Sequence, residues 1–226
     1  MLKSRTQIAT ALAIFFHAIG FIGMFINPAF FTAATPINLL LMFGLLLYTQ
    51  RAINLAFIAF LFICFVVGVG VEIIGTSTGF LFGEYAYGNT LGPAIKNVPI
   101  VIGINWIIII YCCGIAVHML LEKLSAKLET MTGAPSPAIR YFSIISDGAM
   151  LAVFFDWIME PAAIKLGYWQ WLGNGEIPLY NYLSWFIISL ALVSVFTFLK
   201  FEKGNIFAVN LLLIMMMFFM LIRTFL

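Results

Sequence analysis

The feature that most constrains this chain is a series of long apolar segments separated by shorter polar ones. Seven segments suit membrane helices, and none shows the period-2 alternation of a membrane strand. They cover residues 8–26, 36–50, 54–74, 98–120, 139–159, 179–199 and 205–225, of which the second is short. Charged residues make up only 9% of the chain, against about 25% in an ordinary soluble domain. The sequence therefore predicts an all-α, polytopic membrane helix bundle that forms one domain over residues 1–226.

Lysines and arginines divide unequally between the two sides of such a bundle. One side collects eight of them and the other three, which accounts for all 11. The larger group is Lys3, Arg5, Arg51, Lys123, Lys127, Arg140, Lys200 and Lys203. Because loops rich in Lys and Arg stay in the cytoplasm, we expect a cytoplasmic N-terminus in the inner (cytoplasmic) cell membrane. The net charge of +2 is too small to argue for nucleic acid as a partner.

Two long loops, 75–97 and 160–178, are then both on the outer side. Both are rich in glycine and in aromatic residues. Aromatic side chains at this depth are typical of a belt at the level of the lipid headgroups. The alternative is a folded, partly re-entrant cap that closes a cavity between helices, because non-helical backbone at membrane depth must be buried in protein or line a cavity.

Four carboxylates gather on the same side. An ionised acid is costly in hydrocarbon, so acids within membrane helices are candidate functional residues. Asp156 and Glu160 are four residues apart and share one helix face, and Pro161 is expected to help end that helix. Two acids this close disfavour double ionisation, which leaves one able to donate a proton. Glu72 lies near the outer end of the third span, and Glu84 lies in the first aromatic loop.

Structural roles compete with these chemical ones. Asp156 and Glu160 could form a solvated helix end, and Glu84 could be an exposed loop acid. The amides of Asn105 and Asn181 could bridge helices, as amides in lipid often do, instead of holding a water or orienting an acid. These alternatives stay open at the level of sequence.

Cofactor chemistry is not indicated, so we expect no cofactor and no metal. Two histidines are too few for the cluster of a membrane di-iron hydroxylase, and no Cys/His spacing suggests a metal site. The last span has no lysine for a retinal Schiff base.

Acids, amides and aromatics around an outer cavity suit acid chemistry on an apolar lipid, since protonating an alkene makes a carbocation that aromatic faces stabilise. A transporter fits the same features less specifically.

Two blocks of sequence resemble a known family. The first block is Phe82-Gly83-Glu84-Tyr85-Ala86-Tyr87-Gly88, followed by Leu91-Gly92-Pro93, Val98-Pro99-Ile100 and Asn105-Trp106. The second is Asp156-Trp157-Ile158-Met159-Glu160-Pro161, followed by Leu166-Gly167-Tyr168-Trp169-Gln170-Trp171 and Asn181-Tyr182-Leu183-Ser184-Trp185-Phe186. Together they are similar to the carotenoid biosynthesis protein family, which includes carotenoid 1,2-hydratases and the bisanhydrobacterioruberin hydratases of halophilic archaea. One departure is Glu160, where the motif of the family often has Asp.

The resemblance implies hydration of the terminal 1,2 double bond of an acyclic (ψ) carotenoid end group, which leaves a tertiary alcohol. The expected catalytic residues are Asp156, Glu160, Glu72 and Glu84. The expected substrate-binding residues are Tyr85, Tyr87, Asn105, Trp106, Tyr168, Trp169 and Asn181. The expected partners are a carotenoid drawn from the bilayer, membrane lipid, and other enzymes of the same pathway. The alternatives are a related membrane cyclase, in which the cation closes a ring, and a non-catalytic protein that binds or transports carotenoid or lipid.

Overall fold

The computed structural model describes residues 2–129, 136–173 and 175–226, and most of these residues are α-helical. The helices are α1 (Leu2–Ile26), α2 (Pro28–Ala33), α3 (Thr35–Thr49), α4 (Leu55–Thr78), α5 (Val101–Glu129), α6 (Pro137–Lys165), α7 (Leu179–Phe198) and α8 (Ile206–Phe225). Within the described ranges, six of them are long and apolar enough to cross a membrane, namely α1 and α4 to α8. The predicted all-α polytopic membrane bundle is confirmed.

The short second span of the sequence corresponds to α3. Its 15 residues give a length of roughly 22 Å at a rise of about 1.5 Å per residue. This is less than the thickness of about 30 Å of a hydrocarbon core. The preceding helix α2 begins after Asn27, whose side chain accepts a hydrogen bond from the backbone N–H of Phe30. The pair of short helices α2 and α3 therefore takes the place of one long span.

The prediction that Pro161 helps to end its helix is wrong, because α6 continues through it to Lys165. A proline removes one backbone hydrogen bond of the helix ladder, and the next turn forms regardless. The helix ends at Lys165 and is capped by Leu166, whose backbone N–H donates to the carbonyl of Ala162 at 2.9 Å. Glu160 is therefore surrounded by helix on both sides and is not a frayed terminal residue.

Contacts between helix ends show how the spans alternate in direction. The Arg5 guanidinium near the start of α1 lies 5.2 Å from the ring centre of Tyr48 near the end of α3. At the opposite end of the bundle, Lys165 Nζ at the end of α6 donates to the carbonyl of Arg223 near the end of α8, at 2.9 Å. The ends of α4 and α6 and the starts of α5 and α7 meet at this second end, which we call the site end.

The two aromatic loops pair with each other across the site end. Strand β1 (Tyr85–Tyr87) forms an antiparallel ladder with a strand of the second loop, Trp169–Trp171, in which Tyr85 lies opposite Trp171 and Tyr87 opposite Trp169. Because side chains alternate along a strand, these four aromatic residues lie on one face of the ladder. We call the paired loops the cap. The loops thus form a folded cap, as one of the two interpretations of the sequence predicts, and their depth in the membrane stays a prediction.

A small hairpin stands between the cap and α5. Strand β2 (Ala94–Ile95) pairs with β3 (Val98–Pro99), and the strand Trp169–Trp171 of the second loop is β4. The two turn residues, Lys96 and Asn97, have φ values of 47° and 66°. Positive φ at both central positions is what a two-residue hairpin turn requires, and asparagine accepts it more readily than most residues.

Candidate active site

A small cavity lies at the site end, between helices α4 to α7 and the cap. Its volume is about 30 Å³. A buried water needs roughly 10–15 Å³, so the cavity has room for about two water molecules. The lining side chains are Glu72, Phe82, Tyr85, Tyr87, Ile102, Asn105, Trp106, Asp156, Met159, Glu160, Trp169, Trp171, Asn181 and Trp185. In the described part of the chain, this lining holds three acids and no lysine, arginine or histidine.

Glu72, near the end of α4, is fixed by three hydrogen-bond donors. Tyr85 and Tyr87 donate their phenol hydrogens to Oε2, at 2.5 and 2.7 Å. The indole N–H of Trp106 on α5 donates to Oε1 at 3.0 Å. Glycine at position 75 of α4 leaves room for the cap to reach this acid. A Cβ added at Gly75 would lie only 2.9 Å from the Tyr85 hydroxyl oxygen. Glu72 thus acts as the acceptor that joins α4, α5 and the cap.

The two phenols that hold Glu72 lie in the cap and remain protonated. Burial, reinforced by the nearby charge of Glu72, raises the pKa of Tyr85 and that of Tyr87 above the usual value for tyrosine. A neutral phenol keeps its O–H donor at every pH that the protein experiences in a cell. Tyr85 and Tyr87 are therefore permanent donors, and neither can serve as a base.

Glu160 on α6 is held by the other strand of the cap. The indole N–H groups of Trp169 and Trp171 both donate to Oε2, each at 3.0 Å. Two tryptophans separated by one residue point to the same side of β4, which is why both reach one oxygen. The Glu160 side chain is buried. The pairing of strand β1 with β4 thereby places the cap residues that donate hydrogen bonds to Glu72 beside those that donate to Glu160.

Asp156, one turn before Glu160, has the fewest partners of the three acids. Asp156 is fully buried. The side-chain amide of Asn181 on α7 donates to Oδ2 at 3.0 Å. The second oxygen, Oδ1, is buried and has no hydrogen-bond partner among the residues that the structure describes. Asp156 lines the cavity and therefore has one oxygen that no group of the described chain engages.

Aromatic rings form much of the cavity wall, and several of them hydrogen-bond to the acids. The Trp106 and Trp185 rings are stacked, with their centres 4.1 Å apart and an angle of 11° between their planes. Gly68 permits this arrangement, because a Cβ at that position would lie 2.6 Å from Cγ of Trp106. The Tyr85 and Trp171 rings lie 5.3 Å apart in the cap. The cavity thus combines carboxyl groups with several aromatic faces, which are surfaces that attract a cation.

Nine of the 11 residues expected from the sequence line this one cavity. They are Glu72, Asp156, Glu160, Tyr85, Tyr87, Asn105, Trp106, Trp169 and Asn181. The helix-bridging alternative also holds for Asn181, because its amide joins α7 to Asp156 on α6. The chemical roles of these residues stay predictions.

Two expected site residues lie elsewhere. Glu84 is exposed and is absent from the cavity lining. It directly precedes Tyr85, and alternation along the extended chain turns it away from the face that Tyr85 and Tyr87 share. Tyr168 is buried, but its hydroxyl bonds to Oγ1 of Thr35 at 2.6 Å, outside the cavity. Neither residue lines the acid cavity, and the expected roles of Glu84 in catalysis and of Tyr168 in substrate binding stay predictions.

Five cavity residues were not assigned to the site from the sequence, namely Phe82, Ile102, Met159, Trp171 and Trp185. For the two tryptophans among them, the spacing along the sequence is informative. Trp171 follows Trp169 by two residues, and Trp185 follows Asn181 by four. These spacings place each pair on one face of a strand and of a helix, respectively. Periodicity around the assigned residues was the signal that could have identified both.

Comparison with known proteins gives one informative relative. The chain is 26% identical over 187 residues to a protein of Haloarcula japonica named bisanhydrobacterioruberin hydratase. The aligned region covers 80% of this chain and 57% of the relative, so the chain spans little more than half of that protein's length. No solved structure matches the chain.

A family model described as carotenoid biosynthesis protein matches residues 31–226. The matched region contains α3 to α8, both loops of the cap and every residue that lines the cavity. The acids, their donors and the stacked tryptophans are thus all within the part of the chain that defines the family. The chain belongs to the carotenoid biosynthesis protein family.

Proposed function

We propose that this protein is a hydratase that adds water across the terminal 1,2 double bond of an acyclic carotenoid end group, without a cofactor. Membership of the carotenoid biosynthesis family and the name of the relative from Haloarcula japonica support this proposal. The observation that carries it is the unengaged Oδ1 oxygen of Asp156 in a cavity walled by aromatic rings. The substrate is a carotenoid that enters from the bilayer.

Asp156 is the proton donor in this proposal. Three carboxylates in one cavity without a cation would repel one another, so the arrangement favours one neutral acid. Glu72 accepts hydrogen bonds at both oxygens and Glu160 accepts two at Oε2, and these donors favour the ionised form of both acids. Asp156 has one oxygen without such a donor and can carry the proton there. Asn181 holds the other oxygen and so orients the carboxyl group.

The reaction has two steps that balance in atoms and charge. The Asp156 proton adds to C2 of the terminal alkene, the π bond breaks, and a tertiary cation forms at C1. The oxygen of a water molecule then bonds to C1, and the proton that this water loses passes to a carboxylate of the site. The net change is addition of H and OH to the double bond. General acid catalysis of this kind contributes typically 10²–10⁴-fold to a rate.

The aromatic wall stabilises the intermediate. A cation over the face of a tryptophan or tyrosine gains about 2 kcal/mol or more when water is excluded. The Trp106, Trp185 and Tyr85 rings all line the cavity. The cavity of about 30 Å³ is smaller than an isoprenoid end group, so binding requires wall side chains or the cap to move aside, as lids over active sites do.

Pigment conversion in a host that accumulates lycopene tests the proposal. Carotenoids are extracted from cells that express the protein and from cells with an empty vector. The pigments are separated, and their molecular masses are measured by mass spectrometry. We expect products heavier by one water for each acyclic end that reacts. Products of unchanged mass but altered absorption would show a cyclase, and unaltered pigment that copurifies with the protein would show a binding or transport protein.

A further inference from the structure

A second cavity adjoins the acid cavity on its outer side. Its volume is about 300 Å³. Its lining includes the polar side chains of Thr76, Asn89 and Asn97, the small side chain of Ala94, and two cap residues, Tyr85 and Tyr87. We call this cavity the vestibule. It is about ten times larger than the acid cavity, and much of its lining is polar backbone and side chain.

The vestibule opens to the aqueous side and not to lipid. The β2–β3 hairpin borders it, with Ala94 and Asn97 in its lining. The hairpin residues from Ala94 to Asn97 are exposed, and the turn carries the charge of Lys96. A charged, exposed turn at the end of a membrane bundle lies in water, because transfer of a lysine into hydrocarbon is costly.

Tyr85 and Tyr87 line both cavities, so strand β1 with these two residues forms the wall between them. Both hydroxyls point to Glu72 on the inner side of that wall. Tyr87 is only half-buried, whereas the Tyr85 residue is 6% exposed. A water molecule that crosses this wall beside Tyr87 therefore arrives at the Glu72 carboxylate, the strongest hydrogen-bond acceptor at that boundary.

We propose that the vestibule supplies the water of the reaction, and that the wall formed by Tyr85 and Tyr87 controls the entry of this water to Glu72. This inference rests on the proposed hydratase function. A water molecule from the vestibule donates a hydrogen bond to the Glu72 carboxylate. Its oxygen then bonds to C1 of the cation, and the proton that it loses passes to Glu72. The cap thus decides between two fates of the same cation, because a cation that meets no water loses a proton or closes a ring.

A graded series at Ala94 tests the route. Ala94 lines the vestibule and contacts none of the acids, and Ile95 is its exposed neighbour on the same strand outside that lining. We expect hydrated product to fall progressively through Ala94→Ser, Ala94→Val, Ala94→Leu and Ala94→Trp, with a severalfold loss at tryptophan. The matched control Ile95→Trp should form hydrated product as wild type does. Each variant is normalised to its amount of folded protein and to the carotenoid that copurifies with it.

The outcomes separate the inference from the proposed function. A flat Ala94 series in a protein whose wild type forms hydrated product overturns the water route and leaves the hydratase intact. A wild type that never adds water overturns the hydratase and the route together. An equal loss in Ala94→Trp and Ile95→Trp also overturns the route, because the effect would then be a general disturbance of the hairpin.

Thiol labelling gives a readout that does not depend on activity. The native cysteines Cys64, Cys112 and Cys113 are buried, so an introduced Ala94→Cys can be followed against a low background. We expect a water-soluble maleimide to label this thiol in the folded protein, and a bulky label to reduce hydration. A thiol at position 94 that resists labelling until the protein is denatured would overturn the vestibule as an aqueous compartment.

Discussion

At the scale of single residues, the three acids of the cavity differ in how their oxygens are used. Glu72 accepts three hydrogen bonds, Glu160 accepts two, and Asp156 accepts one. The number of donors thus falls towards the residue that we assign as the acid. This ordering comes from tertiary contacts between α4, α5, α7 and the cap, so no spacing along the sequence reveals it.

The first prediction concerns Asp156→Asn. The amide keeps the size of the side chain but has no acidic proton, so the rate of carotenoid hydration should fall by roughly 10²-fold or more. The measurement is conversion per unit of folded, membrane-inserted protein. Glu84→Gln is the control, because Glu84 is exposed outside the cavity, and it should keep wild-type activity. Full activity in Asp156→Asn would refute the assignment of the proton donor.

The second prediction concerns Tyr85→Phe, which removes the 2.5 Å bond to Glu72 but keeps the ring. Loss of one hydrogen bond to a buried acid should lower the free energy of unfolding by about 1–3 kcal/mol. The measurement is the thermal unfolding midpoint in detergent, with the exposed Tyr141→Phe as control. Equal midpoints for Tyr85→Phe and Tyr141→Phe would mean that the Glu72 cluster does not stabilise the fold.

The sequence identified most of the site residues because acids and amides within apolar spans are rare and costly. Two expected residues, Glu84 and Tyr168, lie outside the cavity for one shared reason. Each directly precedes a strand residue that faces the cavity, namely Tyr85 and Trp169. In an extended chain, neighbours point to opposite faces. Assigning the loops as strands would have placed Glu84 and Tyr168 outside the lining of the cavity.

At the scale of elements, helices were predictable and the cap was only partly so. Long apolar runs can be satisfied in lipid only as helices, which is why the predicted spans coincide with α1 and α3 to α8. The pairing of β1 with β4 joins segments more than 80 residues apart. Each strand has three residues, too few for a periodic signal, so this pairing depends on long-range contacts.

The third prediction tests the close approach of α4 to Trp106. Gly68→Ala would place a methyl group 2.6 Å from the Trp106 ring, so the stack with Trp185 must shift. Overpacking of this kind costs typically 1–3 kcal/mol in the free energy of unfolding, and we also expect lower hydration activity. Gly70→Ala on the same helix is the matched control, because no atom lies within 4 Å of its added Cβ. Equal stability and activity in the two variants would show that the stack tolerates displacement.

At the scale of the whole molecule, the proposed orientation places the acid cavity, cap and vestibule on the outer side of the membrane. The helix directions in the structure agree with an odd number of crossings, because the start of α1 and the end of α8 lie at opposite ends of the bundle. The short α3 still runs from one end to the other, since Thr35 at its start bonds to Tyr168 of the cap and Tyr48 near its end meets Arg5.

The fourth prediction tests this orientation with two single cysteines. Lys96 lies in the exposed hairpin turn at the site end, and Lys200 is exposed after α7 at the other end. In intact cells, a membrane-impermeant maleimide should label Lys96→Cys and should label Lys200→Cys only after permeabilisation. The reverse pattern would place the acid cavity on the cytoplasmic side.

The central claim is that Asp156 protonates a terminal alkene and that water captures the cation. The most direct test is turnover of an acyclic carotenoid by purified protein in water enriched in oxygen-18, with no added cofactor, followed by mass spectrometry of the product. We predict a new hydroxyl group that carries the heavy oxygen, and its loss in Asp156→Asn. A hydroxyl with ordinary oxygen would show that the oxygen atom does not come from water, and it would contradict the account.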